Sequence, residues 1–220
     1  MRLLRCFYLS HLNSPGCGVS VNVSLSNAVP LACQIRAARN SDVDALADLL
    51  ASSFHRQDGI AGLFYPLWRI ALREDIRNRL KRRSPHYCCL VAVMPPSDVA
   101  DVAATNHPRI VGTIEMSLHP QFSLPFRTWF RSYPYLANLA VLPTYRRQGI
   151  ARRMISACET AARQWGYEDL YLHALENNDS AKALYKNLGF SICHTEISLS
   201  ALVLGNPKQI LLHKALTPQP

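Results

Sequence analysis

Acidic residues are missing from the first 41 positions: the first is Asp42, in a chain of 220 residues that holds 15 of them. The same stretch carries Arg2, Arg5, Arg36 and Arg39, with serines at 10, 14, 20, 24 and 26. An acid-poor leader with Ser and Arg fits an organelle transit peptide, a disordered tail or an upstream start codon equally, while a clear small-residue cleavage site is lacking for secretion. Cysteine pairs at Cys-x-x-Cys spacing are also absent. The seven cysteines, an odd number, indicate neither a disulfide framework nor a zinc site. No window approaches the roughly 18 uninterrupted apolar residues of a membrane-spanning helix, and the longest candidate, around 199–204, is far shorter, so no membrane partner is expected. Glycine is scarce, at nine residues, and forms neither a Gly-x-Gly-x-x-Gly turn nor a Gly-Lys-Ser/Thr loop. The common nicotinamide and nucleoside-triphosphate readings lose support accordingly.

What is present is a chain that is 49% hydrophobic with a net charge of +9, sized for one globular domain. The positive balance points to an anionic partner of some kind: a nucleic acid, a nucleotide cofactor or an acidic protein. Residues 1–33 read as the leader, 34–216 as the folded domain and 217–220 as a tail. Residues 34–39 alternate like an edge strand, and Ser41 is placed to cap a helix carrying Val43, Leu46, Leu49, Leu50 and Phe54. A second helix over 66–83 shows an apolar stripe of Leu67, Ile70, Ile76 and Leu80 among seven Arg and Lys side chains. Apolar runs at 88–94 and 110–119 predict two antiparallel strands, and an aromatic loop at 120–132 leads to a strand at 135–142. A helix from Gly149 to Gly166, a strand at 170–175, a short helix at 180–188, and strands at 190–197 and 209–215 complete the order β-α-α-β-β-β-α-β-α-β-β. That order implies an α/β (α+β) fold with a mixed, mostly antiparallel sheet covered by helices.

Between the strand ending near Leu142 and the following helix lies Tyr145-Arg146-Arg147-Gln148-Gly149-Ile150-Ala151. Small residues there let backbone N–H groups approach an anion at a helix N-terminus. Downstream stands Asn178-Asp179-Ser180-Ala181-Lys182-Ala183-Leu184-Tyr185-Lys186-Asn187-Leu188-Gly189-Phe190. Together with the preceding Leu136-Ala137-Asn138-Leu139-Ala140-Val141-Leu142-Pro143, these segments resemble the GCN5-related N-acetyltransferase (GNAT) superfamily in three motifs and in their order. Within it, the stretches 133–141, 170–178 and 85–91 are most similar to enzymes of cyanobacteria and plant plastids.

The resemblance implies acetyl-CoA as acyl-donor co-substrate, no metal, and a sheet with helices on both faces, splayed between strands 4 and 5. It implies that the backbone of Leu139, Ala140 and Val141 pairs with the pantetheine arm. Arg146, Arg147, Gln148, Gly149, Ile150, Ala151 and Arg152 would hold the pyrophosphate, and Asn178 and Ser180 the far part of the arm. Tyr185 would protonate the departing thiolate, since it shares a helix face with Asn178 and Ala181. A carboxylate common on the fifth strand is replaced here by His173, an imidazole able to take the amine proton directly or through water. Glu115, on the neighbouring strand, is the competing base. The expected acceptor is a primary amine, of a protein N-terminus or a lysine. The alternatives are a small-molecule amine and a non-catalytic acyl-CoA-binding regulatory module. A nucleic-acid surface along Arg69–Arg83 lacks interleaved aromatics for stacking and is not expected. The location implied is the cytoplasm for a cyanobacterial-like enzyme, or the plastid stroma if residues 1–33 are a transit peptide.

Overall fold

The strand Tyr87–Met94 is apolar at nearly every position, and a strand of that kind must be covered on both faces. A computed structural model, which describes residues 33–54, 65–82, 84–95, 109–120, 132–196 and 208–216, shows how. The strands are β1 (Gln34–Ala37), β2 (Tyr87–Met94), β3 (Arg109–Pro120), β4 (Ser132–Val141), β5 (Asp169–Leu175), β6 (Ser191–Glu196) and β7 (Gln209–Ala215). They form one sheet in the order β1-β2-β3-β4-β5-β7-β6. Every neighbouring pair is antiparallel except β4 and β5, which run parallel. The helices are α1 (Val43–Phe54), α2 (Tyr65–Lys81), α3 (Ile150–Gln164) and α4 (Asp179–Asn187).

Alternation along the strands sorts their side chains between two packed layers. Leu90, Ala92, Ile114, Met116, Leu136, Leu170 and Leu172 face one side, where α3 supplies Met154, Ile155, Cys158 and Ala162, and α4 supplies Tyr185. Cys89, Val91 and Val93 face the other, against Val43, Leu46 and Leu50 of α1 and Leu72 and Ile76 of α2. Each large apolar side chain buried this fully stabilises the fold by roughly 1.5–3 kcal/mol. The mixed, mostly antiparallel sheet with helices on both faces thus matches the expectation from the sequence.

Two local expectations are corrected. Ser41 does not cap α1 but lies inside a short 3₁₀ turn, Asn40–Asp42, because Asp42 does the work of ordering this entry. Its carboxylate accepts from the Arg39 backbone N–H at 2.7 Å and from both ends of the Arg36 fork at 2.6 and 3.0 Å. The second correction concerns α2: Leu67 and Ile70 are 72% and 59% exposed, whereas Leu72 and Ile76 are buried, with Trp68 and Leu80 packed beside them. Spacing of four residues from Trp68 through Leu80 keeps that face on the sheet, and the arginines between are recruited by acids. Arg69 pairs with Asp48 and Arg73 with Asp44 of α1, and Arg77 pairs with Glu74. The aromatic loop residues Phe122, Phe126, Trp129 and Phe130 lie outside the described residues, as do residues 1–32 and 217–220, whereas Cys33, assigned to the leader from the sequence, is buried in the core.

β4 carries the feature that positions the site. Between Thr113↔Ala140 and Glu115↔Ala137, three steps on β4 oppose two on β3, so β4 holds a bulge at Asn138 and Leu139. Asn138 is left-handed there, with φ of 53°.

Candidate active site where two parallel strands part

β4 and β5 are in register at Tyr135↔Tyr171 and Leu136↔Leu172. Immediately beyond comes the β4 bulge, and among the described residues no further pairing joins these strands toward their C-terminal ends. A wedge therefore opens in the middle of the sheet. Leu139, Ala140 and Val141 form its β4 wall, with Ala140 and Val141 buried and Leu139 half-buried. Unpaired backbone along such a wall is a template for one more extended segment.

The wedge leads to the N-terminus of α3. Pro143–Tyr145 forms a 3₁₀ turn, Arg147 is left-handed at φ 64°, and Gly149 is left-handed at φ 78°. Left-handed residues so close together curl the loop tightly ahead of the helix, a kind of turn in which backbone N–H groups form anion-binding nests. The Arg153 N–H already donates to the Gly149 carbonyl at 3.0 Å, so Ile150, Ala151 and Arg152 occupy the positions whose N–H groups have no acceptor within the helix. A Cβ built on Gly149 meets no atom within 4 Å, which leaves open space in front of the nest. A diphosphate suits that space and those donors.

The arginines divide their roles. Arg146 Nε donates to the Val141 carbonyl at 2.9 Å and fastens the loop to β4, while Arg147 reaches the Ser180 hydroxyl at 3.4 Å and ties the loop to α4. Gln148 Nε2 donates to the Thr144 carbonyl at 3.3 Å. Asn178 is the N-cap of α4, its Oδ1 accepting from the Ala181 N–H at 3.1 Å. The Arg147–Ser180 contact thus brings the start of α4 beside the loop before α3, and the side-chain oxygen of Asn178 is committed to its own helix.

Tyr185 is buried at 8% exposure, its ring meeting Phe190 edge-on at 5.7 Å. Burial pushes its phenol up to about 12, so the hydroxyl keeps its proton at neutral pH. It belongs to the layer of α3 and α4. His173 alternates with Leu172 and Ala174 of that layer and so points to the opposite face of β5. There its Nδ1 shares a 2.8 Å hydrogen bond with the Tyr135 hydroxyl. Tyr135 also stacks on His119 at 4.3 Å, and burial, then the His173 charge, lowers the pKa of His119. The acid and base candidates therefore lie on opposite faces of the sheet, Tyr185 in the layer of α3 and α4 and His173 with Tyr135 on the other.

Glu115 sits on the same face as His173, toward α2. It is 3% exposed, paired with Arg79 of α2, and accepts from Asn138 Nδ2 at 3.2 Å. Burial raises its pKa, against the lowering effect of Arg79. Tyr135 is the site residue that motif reading missed. Its signal is the shared alternation of Tyr133 and Tyr135 with Tyr171 and His173, which parallel register sets side by side. Among the described residues, no group of three or more His, Cys, Asp or Glu is arranged to hold a metal.

Residues 43–190, two thirds of the chain, match the family model described as Acetyltransferase (GNAT) family. The chain belongs to the GNAT family. A chloroplastic GCN5-related N-acetyltransferase 4 of Arabidopsis thaliana is 30% identical over 204 residues, covering 82% of this chain and 68% of the relative. The chain spans 58% of a second such relative, GCN5-related N-acetyltransferase 10. A thialysine N-epsilon-acetyltransferase of Bos taurus is 31% identical over 106 residues, 48% of this chain and 56% of the relative. The GNAT fold is shared with the PaiA N-acetyltransferase of Thermoplasma acidophilum, solved with coenzyme A, at TM-score 0.58 and 17% identity, over 84% of this chain and 99% of that one.

Proposed function

We propose that this GNAT chain is an acetyl-CoA-dependent N-acetyltransferase whose acceptor is a primary amine of a protein, at its N-terminus or on a lysine. The observation that carries the reading is the wedge between β4 and β5, ending at the left-handed nest of Arg147 and Gly149. The donor supplies an acetyl thioester. Along the wedge the Leu139–Val141 backbone pairs with an extended amide-bearing arm, and the N–H groups at the start of α3 hold the diphosphate. The arginine side chains add charge that salt partly screens.

His173 and Tyr135 take the amine proton. As the amine nitrogen attacks the carbonyl carbon, its proton passes to the Tyr135 oxygen while the Tyr135 hydroxyl proton passes to His173 Nδ1. Tyr185, on the other face, gives its proton to the sulfur as the carbon–sulfur bond breaks. The raised phenol pKa keeps Tyr185 protonated before the thiolate forms but makes it a weaker acid than a thiol, so the transfer requires the hydroxyl to be held close to the sulfur.

A small-molecule amine is the second reading, favoured by the thialysine acetyltransferase relative. Incubation with acetyl-CoA and three acceptor sets decides: peptides with free N-termini, N-terminally blocked lysine peptides, and small diamines. Release of free CoA thiol with peptides supports the first reading, and release with diamines alone replaces it by the second. No release with any set, alongside tight donor binding, identifies a non-catalytic binding module. The chloroplastic relatives support a plastid location with residues 1–33 as the targeting segment. A fluorescent protein fused behind those residues that stays in the cytosol of plant cells overturns that placement.

A further inference from the structure

We infer that Arg79, Glu115 and Asn138 form a positioning network that holds the β4 bulge, and with it the donor wedge, so that Glu115 governs donor affinity instead of acting as the base. The inference rests on the donor site proposed above. Asn138 is one of two residues other than glycine that are left-handed among those described, and it stands where β4 takes its extra step past β3. Asparagine tolerates that conformation better than other side chains, but tolerance alone does not select it. What fixes it is across the strand: Asn138 Nδ2 donates to Oε1 of Glu115, whose register partner is the preceding Ala137.

The other oxygen of Glu115, Oε2, accepts from Arg79 Nη1. Arg79 is itself oriented by Asp75 one helical turn earlier, at 2.6 Å. The Tyr87 phenol, deep in the same site, feels the Glu115 charge. A chain of contacts thus runs from α2, through a buried carboxylate, to the one residue of β4 whose backbone begins the wedge. Each oxygen of Glu115 is committed to a donor, and one donor is a cation that stabilises the charged carboxylate. A base needs a lone pair directed at the incoming amine, whereas the two oxygens of Glu115 are turned to Arg79 and Asn138.

The test compares donor affinity with turnover in the full chain, by calorimetric titration with acetyl-CoA and by steady-state kinetics. Glu115→Gln keeps the shape and an oxygen for Asn138 but removes the charge facing Arg79. It is expected to weaken acetyl-CoA binding about tenfold, with kcat at saturating donor reduced less than threefold and the acidic limb of the pH profile retained. Asn138→Val, which disfavours the left-handed bulge, is expected to weaken donor binding more than Asn138→Gly, which permits it. Should Glu115→Gln fail to fold, the double variant Arg79→Met/Glu115→Gln removes both charges together and carries the same expectation. Unchanged donor affinity in the folded variants overturns the inference, whether kcat falls about a hundredfold, as for a lost base, or only the melting temperature falls. A wild-type chain that binds no acetyl-CoA overturns the donor site itself.

Discussion

Gly149 offers a substitution whose protein and ligand effects separate. Its φ of 78° lies in the left-handed region, and an added Cβ would meet nothing within 4 Å. Gly149→Ala therefore carries only the conformational penalty of an L-residue in that region, about 1–2 kcal/mol. Gly149→Glu carries the same penalty for folding, because its side chain has the same open space to enter. The two differ toward an anion. A carboxylate about 5 Å from one diphosphate charge, at an effective dielectric of roughly 40–80, is repelled by about 1–2 kcal/mol, and a diphosphate carries more than one charge. Gly149→Glu should thus bind acetyl-CoA at least tenfold more weakly than Gly149→Ala, about 1.4 kcal/mol, while the two melt together. Titration calorimetry at 0.05 and 0.5 M salt checks this, since screening should narrow the gap as the Debye length shortens. Equal donor affinity of the Ala and Glu variants at low salt would refute an anion at this turn.

Tyr185→Phe keeps the ring against Phe190 and removes only the hydroxyl, so turnover is expected to drop roughly a hundredfold with donor binding retained. A variant with wild-type turnover would remove Tyr185 from the chemistry. His173→Ala is expected to flatten the acidic limb of kcat/KM, and Tyr135→Phe to break the same relay; a limb that survives both points to water or to an amine that arrives deprotonated. For stability, Asp42 is the group to titrate. Burial alone would raise its carboxyl, but the Arg36 fork and the Arg39 N–H outweigh it and hold the pKa below the ordinary 3.8. A depressed pKa stabilises the fold above the unfolded value and loses that contribution as pH falls through the folded one. Asp42→Asn should therefore lower the melting temperature at pH 7, by about 2 kcal/mol of stability, and the gap to wild type should close in acid below that ordinary value.

Much of this was legible in the residues themselves. Strand alternation and helical spacing placed every strand and helix within a few positions, because burial on a defined face leaves a period in the sequence. The turn at Gly149 was legible because three motifs stand in the order of a known family; a glycine beside arginines at a strand-to-helix turn is too common to mark it alone. What failed was anything decided by a distant partner. Leu67 and Ile70 have the spacing of a core stripe, yet Trp68, Leu72 and Ile76 took the sheet while Asp44 and Asp48 drew the arginines to their side. Ser41 looks like a cap until Arg36 orders Asp42 one residue later. Glu115 and Tyr135 are ordinary strand residues in one dimension. Only register across β3, β4 and β5 brings them to Asn138 and His173.

A sheet that parts along its centre has a mechanical consequence. On one side of the wedge stand β1 to β4, on the other β5, β7 and β6, and the backbone seam joining the halves is the short run at Tyr135–Leu136 and Tyr171–Leu172. A ligand that lies in the wedge acts as a stitch between two leaves, and its binding energy is added to the resistance of the whole fold to opening. At a donor concentration one hundred times its dissociation constant, that addition is about 2.7 kcal/mol. Amide hydrogens of β4 and β5 should then exchange more slowly as acetyl-CoA rises, and the lifetime of the protein against proteolysis should track the supply of its own donor.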